Sequence, residues 1–344
     1  MGNFNPGMTR RWFLRLALLG GIGAGATVIY KSTESWGFSN WLRAVVRGGA
    51  AHVAPAARVG IAACPTYDAD ILSALRQAWQ SANVPNLAGT RVVVKPNLVD
   101  FVEGRPSFTN PRVVEALIQF LRDEQKVKSL VVAEGITFRR DSEAVLIDMG
   151  YAEMLQRQKV EFVDLNYDDL VTVPLNGGYT KLSQLFVART VAEADVLISV
   201  PKLKTHHWTG VSGSIKNLFG IVPGIKYGWP KNTLHIHGIN EFLAELVDSL
   251  PTRQRVAVVD GIVGMQGDGP LFGSAVNTGA LLVGTDYLAV DATAARLMGF
   301  DPLQLDYLNF AAWAGLGQIE AGRIELHGTP LAMLQKNFAP APGH

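Results

Sequence analysis

The feature that most constrains the fold is an alternation of short apolar runs with amphipathic segments along residues 58–200. Four runs are typical of buried strands, at residues 90–95, 129–134, 160–165 and 196–200. Helical periodicity fills the intervals, and Asn110 before Pro111 indicates where one helix begins. Strands that alternate with helices favour a parallel sheet with right-handed crossovers. We therefore predict an α/β protein with a mostly parallel sheet, flanking helices and two lobes around a cleft.

Polar side chains stand where three of these predicted strands end. Lys95 closes one run, Glu134 closes the next, and Lys202 follows Pro201 after the last. Ligands of open α/β sheets collect outside the carboxyl ends of the strands. We therefore expect these side chains, although distant in sequence, to form one site.

The densest group of polar residues lies in residues 194–224. A buried-strand pattern ends at Pro201, a glycine-rich cationic turn follows, and residues 214–217 read as the start of a short helix. Such a turn before a helix N-terminus favours the binding of an anion. Two alternatives stay open: a basic surface loop, or lysines that pair with nearby carboxylates and only hold loops together.

We predict from these positions a pocket for a carboxylate or phosphate group. The expected anion ligands are Lys95, Asn97, Lys202, Lys204, Thr205 and Asn217. Lys216 is predicted to be a catalytic residue that either clamps the bound anion or holds a cofactor. His206 is the candidate acid or base, because adjacent histidines in an extended chain point to opposite sides and only one of His206 and His207 can face the pocket.

Three acidic residues are expected to have structural or cation-binding roles: Glu134, Asp260 and Asp291. Asp260 ends a predicted strand at 255–260, where it can orient a histidine or bind a cation. Asp291 lies among apolar residues of a predicted helix at 287–298, which indicates a buried partner such as one of the lysines. The alternative is that these acids are ordinary caps and turn residues.

Two further stretches carry weaker signals. The glycine-rich stretch 261–273 is predicted to be a loop, and it matches neither a phosphate-binding nor a dinucleotide-binding glycine motif. His235 and His237 are spaced so that they would face the same way in a strand, but they lack a third ligand. We therefore assign no metal ligands.

The composition excludes several classes of protein. With 344 residues, 48% of them hydrophobic and 18% charged, the chain is expected to be globular. A net charge of +1 argues against nonspecific binding of nucleic acid. Cys64 is the sole cysteine, so we expect no intramolecular disulfide and no cysteine-ligated iron–sulfur cluster.

The first residues predict export. Arg10 and Arg11 precede an apolar run, so residues 1–30 read as a twin-arginine signal, which the export machinery recognises on folded proteins. The protein is then expected in the periplasm or another extracytoplasmic space. An uncleaved membrane anchor and a cytosolic protein with a chance arginine pair are the alternatives.

The remaining domain boundaries follow from composition and pattern. Residues 31–57 are predicted to be a linker, 58–335 an α/β domain with a possible lobe boundary near 235–255, and 336–344 a frayed tail. The oligomeric state is left open.

Several of these stretches, in this order and spacing, resemble the domain-of-unknown-function family 362. The stretches that carry the resemblance are Val94 to Leu98, Thr109 to Pro111, Val200 to His206, Ser214 to Gly220, Val259 to Gly261, Gly267 to Pro270 and Val290 to Ala292. The resemblance spans about residues 58–315 and implies no established biochemical role. Some relatives carry an added ferredoxin-like cluster domain, whose cysteines this chain lacks.

A weaker similarity is to nickel-pincer lactate racemase. The counterparts are Lys95 to Leu98, Ala133 to Gly135, Ala194 with Asp195, and Lys216 ahead of Pro223 and Gly224. This resemblance implies that Lys216 holds a pincer-type or metal cofactor. The chain continues from Gly135 as Ile136-Thr137-Phe138, without the racemase's histidine, so the similarity implies a shared scaffold and an anionic substrate.

Together these observations lead to two hypotheses for function. In the first, the protein is an exported enzyme that acts on a small carboxylate or phosphate compound. In the second, it is a noncatalytic periplasmic binding or assembly protein that uses the same cleft. A purely structural role would leave the protein without any small-molecule ligand.

Overall fold

The computed structural model describes residues 54–136, 141–175, 177–228, 234–235 and 238–344. Residues 54–344 form one compact unit, which includes the stretch near 235–255 where a lobe boundary was predicted. The predicted signal segment 1–30, the linker up to residue 53, and His237 lie outside the described residues. No helix in the described ranges is both long and apolar enough to cross a membrane.

One large sheet organises the described part of the chain. Its strands and those of a separate hairpin are β1 (Ala57–Ala63), β2 (Arg91–Pro96), β3 (Ser129–Glu134), β4 (Phe162–Asp164), β5 (Leu170–Pro174), β6 (Gln184–Ala188), β7 (Val196–Val200), β8 (Lys202–His206), β9 (Gly210–Ser212), β10 (Gln254–Gln266), β11 (Ser274–Gly284) and β12 (Ile324–Gly328). The main order is β12-β1-β11-β10-β7-β2-β3-β4, with β8 beside β10 and β9 beside β8. Strands β10, β7, β2, β3 and β4 pair in parallel, whereas β11 is antiparallel to β1 and β10.

Helices cover both faces of this sheet. They are α1 (Ile71–Ala82), α2 (Pro111–Asp123), α3 (Ser142–Asp148), α4 (Tyr151–Gln158), α5 (Arg189–Ala192), α6 (Ser214–Asn217), α7 (Gly224–Tyr227), α8 (Ile239–Asp248), α9 (Tyr287–Leu297), α10 (Asp306–Trp313) and α11 (Leu331–Leu334). Short 3₁₀ turns lie at Leu218–Ile221, Pro302–Gln304 and Ala321–Arg323. The predicted mixed α/β fold, with a mostly parallel sheet and flanking helices, is confirmed.

The helix boundaries follow from local chemistry. Asn110 accepts a hydrogen bond from the backbone N–H of Arg112 and Pro111 occupies the first turn of α2, as predicted. Asp286 likewise caps α9 through the N–H of Ala289. Each cap satisfies a backbone donor that a helix N-terminus otherwise leaves unpaired.

Two hydrophobic cores lie on opposite faces of the sheet. Val92 and Val94 of β2 pack with the apolar faces of α1 to α4, whereas Val93 packs with α8, α9 and α10. The central strands therefore bury both faces, which explains why they read as continuous apolar runs in the sequence.

Two loop predictions are wrong. The residues after Pro201 form strand β8, which pairs with β10 in parallel and with β9 as an antiparallel hairpin. The stretch 261–273 begins as a continuation of β10, which runs to Gln266 through a bulge between Gly261 and Val263. Glycines are tolerated in this strand because neighbouring strands approach it closely: a Cβ on Gly261 would lie 2.9 Å from the carbonyl oxygen of Ala280.

The predicted frayed tail 336–344 is packed against the domain. The N–H of Lys336 donates to the carbonyl of Leu297, and the N–H of Gly267 donates to the carbonyl of Ala339. Between them the ring of Phe338 is buried. The burial of this ring explains why the terminus stays ordered despite its prolines.

Candidate functional site

The predicted strand-end residues do meet at one edge of the sheet. Strand β2 lies between β3 and β7, and Lys95 is in register with Ser199 of β7. Four lysines influence one another's charge in this region, namely Lys95, Lys202, Lys204 and Lys216. We refer to these lysines, with Glu134, Asp260, Asn97, Asn217 and His206, as the lysine centre.

Lys95 and Glu134 form a buried ion pair in the lysine centre. The Lys95 ammonium lies 2.6 Å from Glu134 Oε2, and the Lys95 side chain is fully shielded from solvent. Glu134 also accepts the N–H of Gly135 at 2.8 Å and the N–H of Leu98 at 3.3 Å. Burial lowers the pKa of Lys95, and the charge of Glu134 opposes that shift. This pairing was the sequence-based alternative to direct binding of an anion by Lys95.

Two asparagines hold this ion pair in position through hydrogen bonds. Asn217 of α6 accepts from the Lys95 ammonium at 3.0 Å and donates to the Lys95 carbonyl and to Ser199 Oγ, both at 3.0 Å. Asn97 donates to Asn217 Oδ1 at 3.3 Å. Its own Oδ1 is buried and has no hydrogen-bond partner in the described residues. Asn97 therefore keeps one acceptor that is not used inside the fold.

Lys202 and Asp260 form the second buried ion pair. Their charged atoms lie 3.0 Å apart, and Asp260 also accepts the N–H of Asn110 at 2.9 Å. The hydroxyl of Tyr67 donates to Asp260 Oδ1 at 2.9 Å and contacts the Lys202 ammonium. Burial, followed by the charge of Asp260, raises the pKa of the Tyr67 phenol. Asp260 thus holds a lysine and a tyrosine rather than a histidine.

Sequence reasoning missed Tyr67. It follows the carboxyl end of β1, which runs parallel to β10 because both strands are antiparallel to β11. The rule that pointed to Lys95 and Glu134, a polar residue just after a strand, also holds for Tyr67. Extending that rule to β1 would have found it.

Lys204 is buried without a carboxylate partner among the described residues. Its ammonium donates to the carbonyl oxygen of Ser107 at 2.5 Å, and its side chain is fully shielded from solvent. Burial lowers the pKa of Lys204 well below the usual lysine value, and the charges of Lys216 and Lys202 lower it further. The charge of Glu134 opposes this shift.

Lys216 of α6 is held differently from the other three lysines. Its side chain is half-buried, and its ammonium lies 4.6 Å from the centre of the Phe219 ring. In the part of the chain that the structure describes, this ammonium has no hydrogen-bond acceptor and no carboxylate within ion-pair distance. Burial lowers the pKa of Lys216 to about 8, and the charge of Lys95 adds to the effect while Glu134 opposes it.

The predicted orientation of the histidine pair is wrong. The rings of His206 and His207 stack, with centres 4.9 Å apart and planes at 23°, because β8 ends at His206 and the chain turns there into β9. His206 Nδ1 accepts the N–H of Trp208 at 3.1 Å. Burial lowers the pKa of His206 well below its usual value, and the charge of Lys216 adds to this. A neutral ring that accepts at Nδ1 carries its proton on Nε2, so His206 can donate from that atom.

Thr205 points away from the lysine centre. Its hydroxyl donates to the carbonyl of Gly267 at 2.9 Å. A Cβ on Gly269 would lie 2.0 Å from the Thr205 carbonyl, so the stretch 267–269 packs tightly against β8. The role of Thr205 seen here is to hold this turn in place.

Asp291 is buried, as predicted, but its partner is not a lysine. Its carboxylate accepts the backbone N–H of Ser214 at 2.5 Å and of Ile215 at 3.0 Å. Asp291 thereby anchors the first turn of α6, the element that carries Lys216 and Asn217. Burial raises the pKa of Asp291 to about 7, and the two N–H groups oppose the shift.

Asp291 is expected to make stability pH-dependent. Its ordinary pKa is 3.8 and its folded pKa is about 7, so between these values the native state keeps a proton that the unfolded chain has released. The free energy of unfolding should therefore fall with rising pH in that window, by up to ~1.4 kcal/mol per pH unit, and then stay constant.

Asp291→Asn tests this expectation. The amide keeps an oxygen that can accept an N–H of α6, but it no longer titrates. The stability of the variant relative to the wild type should therefore increase as pH rises from 3.8 to about 7. Urea unfolding at about pH 5 and about pH 8 measures the difference. Asp123→Asn, at an exposed site, is the control. Parallel pH profiles for the wild type and Asp291→Asn would contradict the assignment.

A metal centre is not apparent in the described residues. No group of three or more histidine, cysteine, aspartate or glutamate side chains lies close enough there to hold a metal ion. His235 lies in a helical turn and its ring packs 4.3 Å from Trp208 and 4.2 Å from Phe219, centre to centre. It therefore contributes to the aromatic surroundings of Lys216.

Fold and site together define a class: α/β proteins with a buried, lysine-rich polar centre at the carboxyl ends of a mostly parallel sheet. The family described as Domain of unknown function (DUF362) matches residues 92–296, more than half of the chain. The protein therefore belongs to this family, and the resemblance seen in the sequence is confirmed.

The proteins to which this chain is similar include a curated relative and two proteins of known structure. A thylakoid-associated protein of Synechocystis sp. (strain ATCC 27184 / PCC 6803 / Kazusa) is 29% identical over 223 residues, which cover 62% of this chain and 64% of that protein. The chain thus spans less than two thirds of that relative's length. A Thermotoga maritima protein of known crystal structure has a TM-score of 0.38 and 18% identity, covering 60% and 53% of the two chains. The lactate racemase apoprotein of Thermoanaerobacterium thermosaccharolyticum has a TM-score of 0.41 and 14% identity, covering 71% and 57%.

Proposed function

We propose that the protein binds a small anionic compound, a carboxylate or a phosphate, at Lys204 and Lys216 and converts it with the help of His206. The observation that carries this proposal is the charge balance of the lysine centre. Glu134 neutralises Lys95 and Asp260 neutralises Lys202, but no carboxylate of the described residues pairs with Lys204 or Lys216. Burying charge is costly unless it is paired, and a bound anion would supply the missing negative charge.

The charges of Lys204 and Lys216 also predict how anion binding depends on pH. An anion favours the charged forms of both lysines, so binding should be accompanied by proton uptake. Affinity should fall as pH rises through the pKa of Lys216, about 8. His206 is neutral with a proton on Nε2, so it offers the bound compound a hydrogen bond that can become proton transfer.

Export remains part of the proposal. The twin-arginine pattern at Arg10 and Arg11 supports a site of action outside the cytoplasm. The machinery that reads this signal exports folded chains, so the lysine centre would be complete before transport.

Lys216→Met is expected to abolish anion binding without unfolding the protein. The neutral side chain keeps the packing on Phe219 and removes repulsion with Lys95 and Lys204, so the unliganded variant should melt at the same temperature as the wild type or higher. Thermal unfolding with inorganic phosphate, acetate and citrate measures the loss of the stabilising shift. We expect affinity to fall at least about tenfold, as for the loss of a charged hydrogen-bonded contact.

Lys226→Met is the matched control. Lys226 also lies over an aromatic ring, 4.3 Å from the centre of Phe186, but it is exposed and lies outside the lysine centre. This variant should keep the full shift. An undiminished anion shift in Lys216→Met would refute the proposed site.

Turnover separates the enzyme from the binding protein. Any anion that raises the melting temperature is incubated with the protein and followed by proton or phosphorus NMR. Conversion that His206→Ala abolishes would support catalysis. An anion that stabilises the protein yet is recovered unchanged would favour the noncatalytic alternative.

A further inference from the structure

Lys216 is the one member of the lysine centre whose amine is not engaged by an oxygen of the described residues. Lys95 donates to three oxygens, Lys202 to two and Lys204 to one. Each of those bonds uses an N–H and favours the protonated amine. Among the described residues the Lys216 nitrogen contacts the face of the Phe219 ring and no oxygen acceptor, so its loss of a proton would break no hydrogen bond to an oxygen there.

Access also distinguishes Lys216. Lys95 and Lys204 are fully shielded from solvent, whereas the Lys216 side chain is only half-buried. Part of the Lys216 side chain therefore faces solvent, unlike the side chains of Lys95 and Lys204. The Asp291 carboxylate accepts the backbone N–H groups of Ser214 and Ile215. These two hydrogen bonds hold the first turn of α6, the helix that carries Lys216.

We propose that Lys216 forms an imine with the carbonyl carbon of a small 2-oxo acid. This inference rests on the anion site proposed above and adds the substrate class to it: a carboxylate with an adjacent ketone. The positive charge of Lys204 favours the carboxylate, and Lys216 attacks the carbonyl. Phosphate or a carboxylate without a carbonyl would occupy the same site but could not react.

The electrostatic surroundings support this chemistry. Burial, followed by the charge of Lys95, lowers the pKa of Lys216 to about 8, and the charge of Glu134 opposes this shift. About a tenth of the molecules then carry a neutral Lys216 amine at pH 7, compared with fewer than about one in a thousand for an ordinary lysine. Lowered pKa values of this kind activate lysine nucleophiles.

The step balances without any oxidant or reductant. The Lys216 lone pair forms a carbon–nitrogen bond as the carbonyl π bond opens onto oxygen, where the negative charge accepts a hydrogen bond from His206 Nε2. The nitrogen then passes one proton to this oxygen, which gives a carbinolamine. The nitrogen lone pair forms a carbon–nitrogen double bond as the carbon–oxygen bond breaks, and the second proton of the nitrogen leaves with the hydroxyl as water. His206 stays neutral throughout.

Reduction of the imine to a stable amine tests the inference on the intact protein. Pyruvate and sodium cyanoborohydride are added near pH 7, and the protein is examined by intact mass and peptide mapping. We expect a gain equal to the mass of pyruvic acid less one oxygen atom, confined to the peptide that contains Lys216. Lys216→Arg keeps the positive charge and should lose the adduct. Lys226→Arg should keep it.

Acetate separates this inference from the proposed function. Acetate has the carboxylate but no ketone, so it should raise the melting temperature of the wild type without forming an adduct. A shift with acetate and pyruvate but no adduct on Lys216 would overturn the imine and leave the anion site standing. No shift with either compound and no adduct would overturn both. Labelling spread over exposed lysines, including Lys226, would also contradict the inference.

Discussion

Gly220→Ala is expected to destabilise the protein by about 3–5 kcal/mol, the range for disrupting a buried ion pair. A Cβ at this position would lie 1.8 Å from Glu134 Oε1 and 2.7 Å from the Lys95 ammonium. Real Cβ atoms do not approach other atoms so closely, so something must move. The Glu134 carboxylate is held by Lys95 and by the N–H of Gly135, and displacing it leaves a charge buried without its partner.

The cause of this effect is contact and not backbone strain. Gly220 does not adopt a left-handed conformation, so alanine would be tolerated there if space allowed. Urea unfolding at neutral pH measures the loss, and thermal unfolding with phosphate measures whether the remaining folded protein still binds an anion.

Gly322→Ala is the matched control for this variant. No atom lies within 4 Å of a Cβ at Gly322, and its backbone is also outside the left-handed region. Alanine at this position should change the free energy of unfolding by less than about 1 kcal/mol. The change should be stabilising where alanine reduces the conformational entropy of the unfolded chain. Equal unfolding midpoints for Gly220→Ala and Gly322→Ala would contradict the close packing of residue 220 on the ion pair.

Glu134→Leu is the second large expected effect. Among the described residues, it leaves the buried Lys95 ammonium with Asn217 and a backbone carbonyl as its remaining partners. Removing one member of a buried pair costs about 3–5 kcal/mol, because the remaining charge is uncompensated. We expect a similar loss for Lys95→Met. The double variant should recover much of it, because two apolar side chains then replace two charges.

A double-mutant cycle measures this coupling by urea unfolding, with circular dichroism to verify that each variant is folded. The exposed pair Arg58 and Glu325 is the control, with charged atoms 3.1 Å apart and side chains 41% and 55% exposed. Solvent screens such a pair, so its cycle should show little coupling. Additive losses at Lys95 and Glu134 would mean that the two residues do not stabilise each other's charge.

The local sequence was sufficient for the central strands β2, β3 and β7, for several helices and for the general place of the site, but not for β8 or for the end of β10. Strand-end lysines and acids pointed to one edge of the sheet, since parallel strands present their carboxyl ends together. Helical periodicity and capping residues were sufficient to predict α2 and α9, because each capping residue is adjacent in the chain to the helix that it caps. The tail was misjudged because the burial of Phe338 depends on a surface that other elements provide.

What the sequence determined by itself was the alternation of strands and helices, the family, and the set of charged residues at the strand ends. Only the tertiary structure decided which charges pair: Lys95 with Glu134, Lys202 with Asp260, and Asp291 with the backbone of α6. Composition cannot reveal this, because each pair joins residues 39 to 77 positions apart whose distance is set by strand order and register. Through that geometry Lys216 becomes the lysine of the centre whose ammonium has no oxygen partner among the described residues, and so the one to test first.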